Sequence, residues 1–166
     1  MLTFCLLGSE TFYNNLGLGI NDYLMNALHD AECPVLLIPE SFIFPQRNIL
    51  AYDGSDSSIY AIKQFSYLFP ELCDNPTLLV YCEEENEGIP EKDYVYELAS
   101  QHFSKLKIMK LGGDPKRSFR NWIGEQQNAL LISGAFGRSP LSQLFRKSFV
   151  SDIVKEHRLP VFVAHK

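Results

Sequence analysis

Two glycines and a Lys-Ser pair near the end of the chain have the spacing of an anion-binding loop. Gly134 and Gly137 follow an apolar run, and nine residues separate Gly137 from Lys147 and Ser148. Glycine lets backbone N–H groups approach a phosphate closely, because it has no Cβ in the way. A helix that begins just beyond adds a positive dipole and free N–H groups, so the pattern predicts a phosphate-binding site.

Positive charge concentrates around this loop, although the chain as a whole is acidic. Arg138, Arg146 and Lys147 lie within it, whereas the formal net charge of the chain is −5. Ser148 adds a hydroxyl donor beside them. Together these groups predict a cradle for an anion; the alternative is that the cations only form the solvated start of a helix.

The elements that would position this loop alternate between strand and helix. Apolar runs predict five strands, at residues 48–52, 77–82, 105–111, 129–133 and 160–164. Helical spacing predicts helices at residues 57–69, 91–103 and 142–157, and another that begins at Pro115. The alternation favours an α/β fold with a Rossmann-like, doubly wound and mostly parallel five-stranded sheet. Ligands of such sheets bind beyond the carboxyl ends of the strands.

Local signals support two of the helix starts and one sheet edge. Ser55 is an expected N-cap, and Asp114 followed by Pro115 has the order typical of a helix N-terminus. Lysines alternate with apolar residues along residues 105–111. Because exposed lysines discourage pairing with another chain, this strand is expected at an edge of the sheet.

An internal repeat extends the pattern to the start of the chain. FCLLG at residues 4–8 resembles LLISG at residues 130–134, and CPVLL at residues 33–37 resembles LPVFV at residues 159–163. Both pairs lie 126 residues apart, which indicates duplication of one strand–helix–strand unit. The predicted organisation is a partial repeat at residues 1–40, a linker at residues 41–46 and a complete unit at residues 47–166.

Composition disfavours several classes of function. The acidic charge disfavours nucleic-acid and membrane partners, because phosphates and anionic lipids repel it. No apolar run is long enough to span a bilayer, and residues 1–7 lack the basic region of a signal peptide. The cysteines at positions 5, 33, 73 and 82 show no metal-ligand spacing. We therefore expect a cytoplasmic protein with reduced cysteines and no metal site.

With these motifs, the chain resembles the universal stress proteins over residues 47–166. The resemblance rests on ILAYDGS at residues 49–55, on the glycine motif that ends at Ser148, and on LPVFV near the end. It implies the adenine nucleotide alpha hydrolase-like form of the Rossmann-like fold. Many members of the family bind ATP, so the resemblance also implies an ATP site, with Mg²⁺ as the accompanying ion. The implied role is a stress-response module that acts through dimer or partner contacts, and not an enzyme.

The resemblance also assigns the nucleotide site by position. Asp53 and Cys82, at the ends of the first and second strands, would meet adenine. The glycine loop would contact the ribose and phosphates, and the helix start at residues 148–150 would reach the phosphate tail. The full candidate set is Ala51, Tyr52, Asp53, Cys82, Ser133, Gly134, Ala135, Gly137, Arg138, Lys147, Ser148, Phe149 and Val150.

One departure from the motif leaves two outcomes open. Lys147 stands where the family has its third glycine. Its side chain would crowd the phosphate in one case, which leaves a degenerate, nucleotide-free interaction or dimerisation module. In the other case its ammonium pairs with the phosphate and binding is kept.

A third alternative is a nucleotide-dependent enzyme of a related fold. The sequence DGSDSS at residues 53–58 resembles the phosphate loop of adenylating ATP pyrophosphatases. The segment lacks the paired glycines of that loop, however, and helix capping accounts for Ser55 and Ser58.

The N-terminal copy, whose helix is expected at residues 21–32, departs further and is expected to bind no nucleotide. Thr11 stands at the position of Gly137, and Asp22 would repel a phosphate. Its predicted role is structural. The resemblance implies that residues 34–39 and 160–164 lie side by side as the seam of a pseudo-dimer, because domains of that family commonly pair through their last strands. Because a partial copy leaves apolar faces uncovered, we also expect a homo-oligomer through these last strands.

Overall fold

The computed structural model of the chain describes residues 3–8, 31–39, 41–83, 88–134 and 159–164. Within these ranges there are seven strands: β1 (Cys5–Gly8), β2 (Val35–Ile38), β3 (Arg47–Tyr52), β4 (Thr77–Glu83), β5 (Leu106–Gly112), β6 (Ala129–Gly134) and β7 (Val161–Ala164). The helices there are α1 (Asp56–Leu68), α2 (Lys92–Ser100) and α3 (Pro115–Gly124). A 3₁₀ helix (Pro70–Asp74) joins α1 to β4.

All seven strands belong to one sheet, in the order β1-β2-β7-β6-β3-β4-β5. The pairs are parallel except for β2 with β7, which is antiparallel. The order β7-β6-β3-β4-β5 is the doubly wound arrangement, in which the chain leaves β3 in one direction and returns on its other side at β6. The predicted α/β fold is confirmed, and β5 lies at an edge as its lysines indicated.

Alternation along β3 shows how the two faces of the sheet are covered. Ile49 and Ala51 belong to the apolar cluster that includes Phe119 of α3. Leu50 and Tyr52 belong to the cluster on the other face, which includes buried residues of α1 and α2. Both faces of β3 are therefore buried, as expected for a central parallel strand.

Two capped helices begin where the sequence predicts. The Ser55 side chain accepts a hydrogen bond from the Ser58 N–H, and the Asp114 carboxylate accepts one from the Arg117 N–H at 2.7 Å. Pro115 occupies the first turn of α3, where it loses no intrahelical bond. These caps fix the starts of the helices that flank the sheet on opposite faces.

The seam predicted between the two copies is present within one chain. Strands β2 and β7 pair through Val35 with Val163, Leu36 with Phe162, and Leu37 with Val161. The repeat relates Leu36 to Phe162, which is 126 positions later. A local two-fold axis therefore passes through this central pair and exchanges the two flanking pairs.

The two copies also share their internal register. Cys5 pairs with Val35 in the first copy, and Leu131 pairs with Val161 in the second, so both partners are displaced by 126 residues. The hydrogen bonds that lead into the strands repeat as well: the Cys5 N–H donates to the Pro34 carbonyl at 2.8 Å, and the Leu131 N–H donates to its Pro160 equivalent at 3.1 Å. The repeat in the sequence is thus a repeat in strand pairing.

Three details differ from the sequence predictions. The sequence predicts no element at residues 70–76, where the structure has the 3₁₀ helix that Pro70 opens. Helix α2 is shorter than predicted, and it buries Val95 and Ala99 whereas Tyr94 is 49% exposed. Tyr94 and Leu98 have four-residue spacing in the sequence, but their stripe lies one position away from the one that is buried.

The predicted helices at residues 21–32 and 142–157 lie outside the described residues, apart from positions 31 and 32. None of the helices that the structure describes is long and apolar enough to cross a membrane.

Candidate functional site

Three neighbouring strands bring part of the predicted site together. Strand β3 lies between β6 and β4, so the carboxyl ends of all three meet at one edge of the sheet. Ala51 is paired with Ser133 on one side and with Val80 on the other. Cys82 lies two residues beyond Val80 on the same face of β4. The six described candidates therefore share one end of the sheet: Ala51, Tyr52, Asp53, Cys82, Ser133 and Gly134.

Asp53 organises the turn between β3 and α1. Its carboxylate accepts hydrogen bonds from the Ser55 N–H at 2.9 Å and from the Ser55 hydroxyl at 2.5 Å. Ser55 in turn caps α1, and Gly54 between them has a φ of +78°, a conformation that favours glycine. The aspartate is thus held in place, at the site edge, by the same turn that starts the helix.

Gly134 makes the closest backbone approach at the site. A Cβ at this position would lie 2.5 Å from the carbonyl carbon of Ser57 and from the amide nitrogen of Ser58. Only glycine fits there, because the first turn of α1 packs directly on the end of β6. This contact places the Asp53 turn next to the start of the predicted glycine loop.

Ser133, just before that glycine, is buried and keeps its hydroxyl within the chain. Its side chain is 4% exposed, and its Oγ donates to the Gly134 carbonyl at 3.0 Å. The hydroxyl therefore has a partner within the strand end itself.

A short segment before α2 closes one face of the site, and the sequence analysis did not identify it. The Tyr52 hydroxyl donates to the Pro90 carbonyl at 2.9 Å, and Ile89 is 8% exposed against the core below. Pro90 also lies 3.1 Å from the position of a Cβ on Gly54. The sequence signal for this segment is the apolar pair Ile89-Pro90 after an acidic run, because a fully solvated loop seldom contains such a pair.

The Tyr52 side chain is committed to the core and not to the mouth of the site. It is fully buried, and burial, followed by the nearby charges of Glu91 and Asp53, raises its pKa to about 12. The phenol is therefore neutral at physiological pH.

Cys82 presents a neutral, apolar surface at the end of β4. It is 6% exposed, and burial raises the pKa of its thiol to about 12. A protonated buried thiol is a poor nucleophile and a poor metal ligand. Its side chain therefore contributes apolar packing at the end of β4.

The other half of the predicted site lies outside the described residues: Ala135, Gly137, Arg138, Lys147, Ser148, Phe149 and Val150. In the described part of the chain, no group of three or more His, Cys, Asp or Glu side chains could hold a metal ion. What this part offers is an edge of the sheet with a fixed carboxylate and a close glycine.

Solved structures that match this chain include proteins titled as universal stress proteins. One in complex with cAMP matches with a TM-score of 0.53 and 15% identity, over 72% of this chain and 97% of that chain. One from Archaeoglobus fulgidus matches with a TM-score of 0.66 and 16% identity, over 98% of this chain and 60% of that chain. A functionally unknown protein from Pseudomonas aeruginosa matches with a TM-score of 0.53 and 13% identity, over 98% of this chain and 62% of that chain.

These likenesses define the fold. No family model matches the chain, and no curated protein matches it by sequence. At identities of 13–16% the matches show shared architecture and nothing finer. The chain has the fold of universal stress proteins, which confirms at that level the resemblance seen in the sequence. It spans about three fifths of the longer neighbours and nearly the whole of the shorter one.

Proposed function

We propose that this chain is a stress-response module of the universal stress protein family, whose complete unit binds an adenine nucleotide at the carboxyl ends of β3, β4 and β6. The observation that carries the proposal is the shared fold, because one neighbour of that fold is a universal stress protein in complex with cAMP. Ligand sites of doubly wound sheets also lie at this edge. ATP, with Mg²⁺ bound to its phosphates, is the first candidate ligand.

The described residues suit the adenosine part of such a ligand. Cys82 is neutral and apolar at the end of β4, and Asp53 is held at the mouth of the site. Gly134 brings the first turn of α1 against the start of the loop that the motif assigns to the phosphates. Lys147 and Ser148 would complete the phosphate contacts, with the lysine ammonium in place of a glycine amide.

We propose no catalytic role for this site. Among the described residues of the site, the buried titratable groups are Tyr52 and Cys82, and the pKa of each is raised to about 12. Neither would ionise near neutral pH, so neither supplies a general base or a nucleophile there. The role proposed is that of a cytoplasmic binding module that acts through its partners, consistent with its four free cysteines.

The second candidate is a nucleotide-free interaction module, and the residue that favours it is Lys147. If its side chain fills the phosphate position, the unit keeps its fold and loses its ligand. The seam between β2 and β7 would then be the main product of the duplication. The homo-oligomer expected through residues 34–39 and 160–164 stays a prediction, but strand pairing cannot form it, because β2 and β7 each have two neighbours within the chain.

Calorimetric titration separates the two candidates. We expect ATP to bind the purified protein. Lys147→Glu should lower the affinity for ATP at least about tenfold and leave the affinity for adenosine unchanged, because the lysine would contact only the phosphates. Lys107→Glu is the matched control, because this lysine lies on β5 at the far edge of the sheet. Absence of heat with millimolar ATP, ADP and cAMP, with and without Mg²⁺, would leave the nucleotide-free module as the function.

A further inference from the structure

The two edges of the sheet differ in how they are protected. Strand β5, at one edge, carries Lys107 and Lys110. Strand β1, at the other edge, has the sequence CLLG, and no charged residue or proline occurs in residues 3–8. Proteins commonly protect a solvent-exposed edge with lysine, proline or a bulge, because an open edge recruits other strands. Strand β1 lacks these protective residues, and its composition is typical of a strand that is paired on both sides.

The face of β1 next to this edge is apolar and only partly covered, since the Phe4 ring contacts Phe69 at a centroid distance of 5.1 Å. Leu6 is 58% exposed, whereas its equivalent in the second copy, Ile132, is fully buried. Phe4 is 37% exposed, whereas its equivalent Leu130 is 2% exposed. The difference arises because α1 packs over β6 and β7, and α1 belongs to the complete unit alone among the described residues.

A glycine occupies the equivalent position at the end of the first strand in both copies. Gly134 must be glycine because the first turn of α1 lies against it, and it is buried there. Gly8, its equivalent 126 residues earlier, is also glycine, yet it is exposed. The N-terminal copy therefore keeps this glycine, at an exposed position.

The backbone of β1 is oriented to receive a strand. The Cys5 N–H donates to the Pro34 carbonyl next to β2, as the Leu131 N–H donates to the Pro160 carbonyl next to β7. Successive N–H groups of a strand point to opposite neighbours, so the Leu6 N–H points to the open edge. In the second copy, Ile132 uses the same edge to pair with Leu50 of β3.

We propose that β1 is a docking site for a strand–turn–helix segment of the same fold, with its strand parallel to β1 and its helix over Phe4 and Leu6. The occupant is chemically defined by the second copy: an apolar strand like β3, a Ser-capped turn, and an amphipathic helix like α1. This surface is independent of the nucleotide site.

A second copy of the chain fits this surface less well. Two β1 strands could pair edge to edge, but that contact would bring no helix over Leu6. The α1 helix of another copy already packs on its own β6 and β7. A strand that is followed by its own helix would pair with the edge of β1, and its helix would cover Leu6 and Gly8.

The test supplies such a segment from the chain itself. The full chain is extended by its own residues 46–127, joined to Leu2, because Leu2 stands 126 positions before Asn128. Hydrogen exchange is then followed by NMR at the Leu6 amide. We expect exchange there to slow by at least about 100-fold relative to the unextended chain, because the amide becomes bonded within a cooperative sheet.

Two controls make the test specific. Gly8→Val in the extended chain should abolish the protection of Leu6, because the side chain occupies the space of the helix start; in the unextended chain the same variant should fold normally. A peptide of residues 46–69 added to the unextended chain should shift the Leu6 and Gly8 amide resonances, whereas the same peptide with Leu50→Asp should not.

Two results would overturn the proposal. One is an unprotected Leu6 amide in the extended chain together with unshifted resonances in the peptide mixture. The other is a dimer of the unextended chain, found by sedimentation, in which Leu6 is already protected and which Leu6→Asp dissociates. That outcome would make a second copy the occupant.

Discussion

The two copies of the repeat have the same strand pairing and opposite surroundings. In the second copy, β6 and β7 lie in the middle of the sheet and are buried along their whole length. In the first, β1 and β2 keep the register of that pair, but exposed residues alternate with half-buried ones along β1. Pairing is therefore encoded within the strands, whereas burial depends on the β3 and α1 segments that only the complete unit supplies.

The same comparison explains where a ligand site can form. The site edge of the complete unit is built from three strand ends and the turn that starts α1. The first copy has one such strand end, at Gly8, and among the described residues it lacks the turn with its fixed aspartate. Duplication of the strand pair thus reproduces the strand pairing but not the ligand site.

The largest expected difference between the copies lies at the two-fold axis. Phe162 is fully buried, and its ring contacts Phe65 and Phe69 at centroid distances of 5.4 and 6.0 Å. Phe162→Ala should lower the free energy of unfolding by about 3–5 kcal/mol, because it leaves a cavity. Leu36→Ala, at the matched half-buried position, should cost about 1–2 kcal/mol. Urea unfolding of both variants measures the ratio, and equal costs would contradict the account.

The paired glycines provide the next comparison. Gly134→Ala should destabilise the chain by about 1–3 kcal/mol, because a methyl group there would overlap the backbone of Ser57 and Ser58. Gly8→Ala should stay within about 0.5 kcal/mol in the unextended chain, because this position is exposed. Thermal unfolding of the two variants is sufficient to compare them. A cost at Gly8 as large as that at Gly134 would show that its space is already occupied.

Alkaline pH should act on the complete unit. The pKa of Cys82 is about 12 in the fold against an ordinary value of 9.0, so the folded chain holds this proton more tightly. The stabilisation is complete below pH 9 and is lost as pH rises towards 12, with a slope of at most about 1.4 kcal/mol per pH unit. Cys82→Ala should make the fall shallower and leave the part that is due to Cys73 and Tyr52, whose pKa values are raised to about 11 and about 12. An unchanged slope, in urea unfolding between pH 8 and 11, would show that the thiol is not the cause.

The smallest effect concerns the start of α1, the helix that covers the second copy only. Ser55→Ala removes the cap and one partner of Asp53, and it should cost about 1 kcal/mol. Ser104→Ala, at an exposed serine between α2 and β5, should stay within about 0.5 kcal/mol. Denaturant midpoints of the two variants give the difference. Equal midpoints would mean that the cap does not set the stability of α1.

Much of this fold could be read from the sequence because its signals are local. Apolar runs gave β3, β4 and β6, and the Ser55 and Asp114 caps gave two helix starts within one residue. The fixed offset of 126 residues predicted the repeat, and the resemblance to the universal stress proteins implied the neighbouring position of β2 and β7. Periodicity and capping depend on a few adjacent residues, so they survive without knowledge of the tertiary contacts.

The rest depends on contacts between distant residues. The buried stripe of α2 runs through Val95 and Ala99, because the helix lies against Tyr52 and Phe103, which no local pattern reveals. The closure by Pro90 over Gly54 likewise joins segments 36 residues apart. At the site, the sequence indicated which strand ends would meet, but not that Tyr52 would be turned into the core.

The most direct test of the account is an NMR titration of the chain with ATP, with the two copies observed in the same sample. We predict saturable amide shifts at Asp53, Ser133 and Gly134, with one nucleotide bound per chain, and no shift at the equivalent Leu7 and Gly8. Shifts at both strand ends would contradict the proposed difference between the copies. No shift at either end with millimolar ATP would contradict nucleotide binding itself.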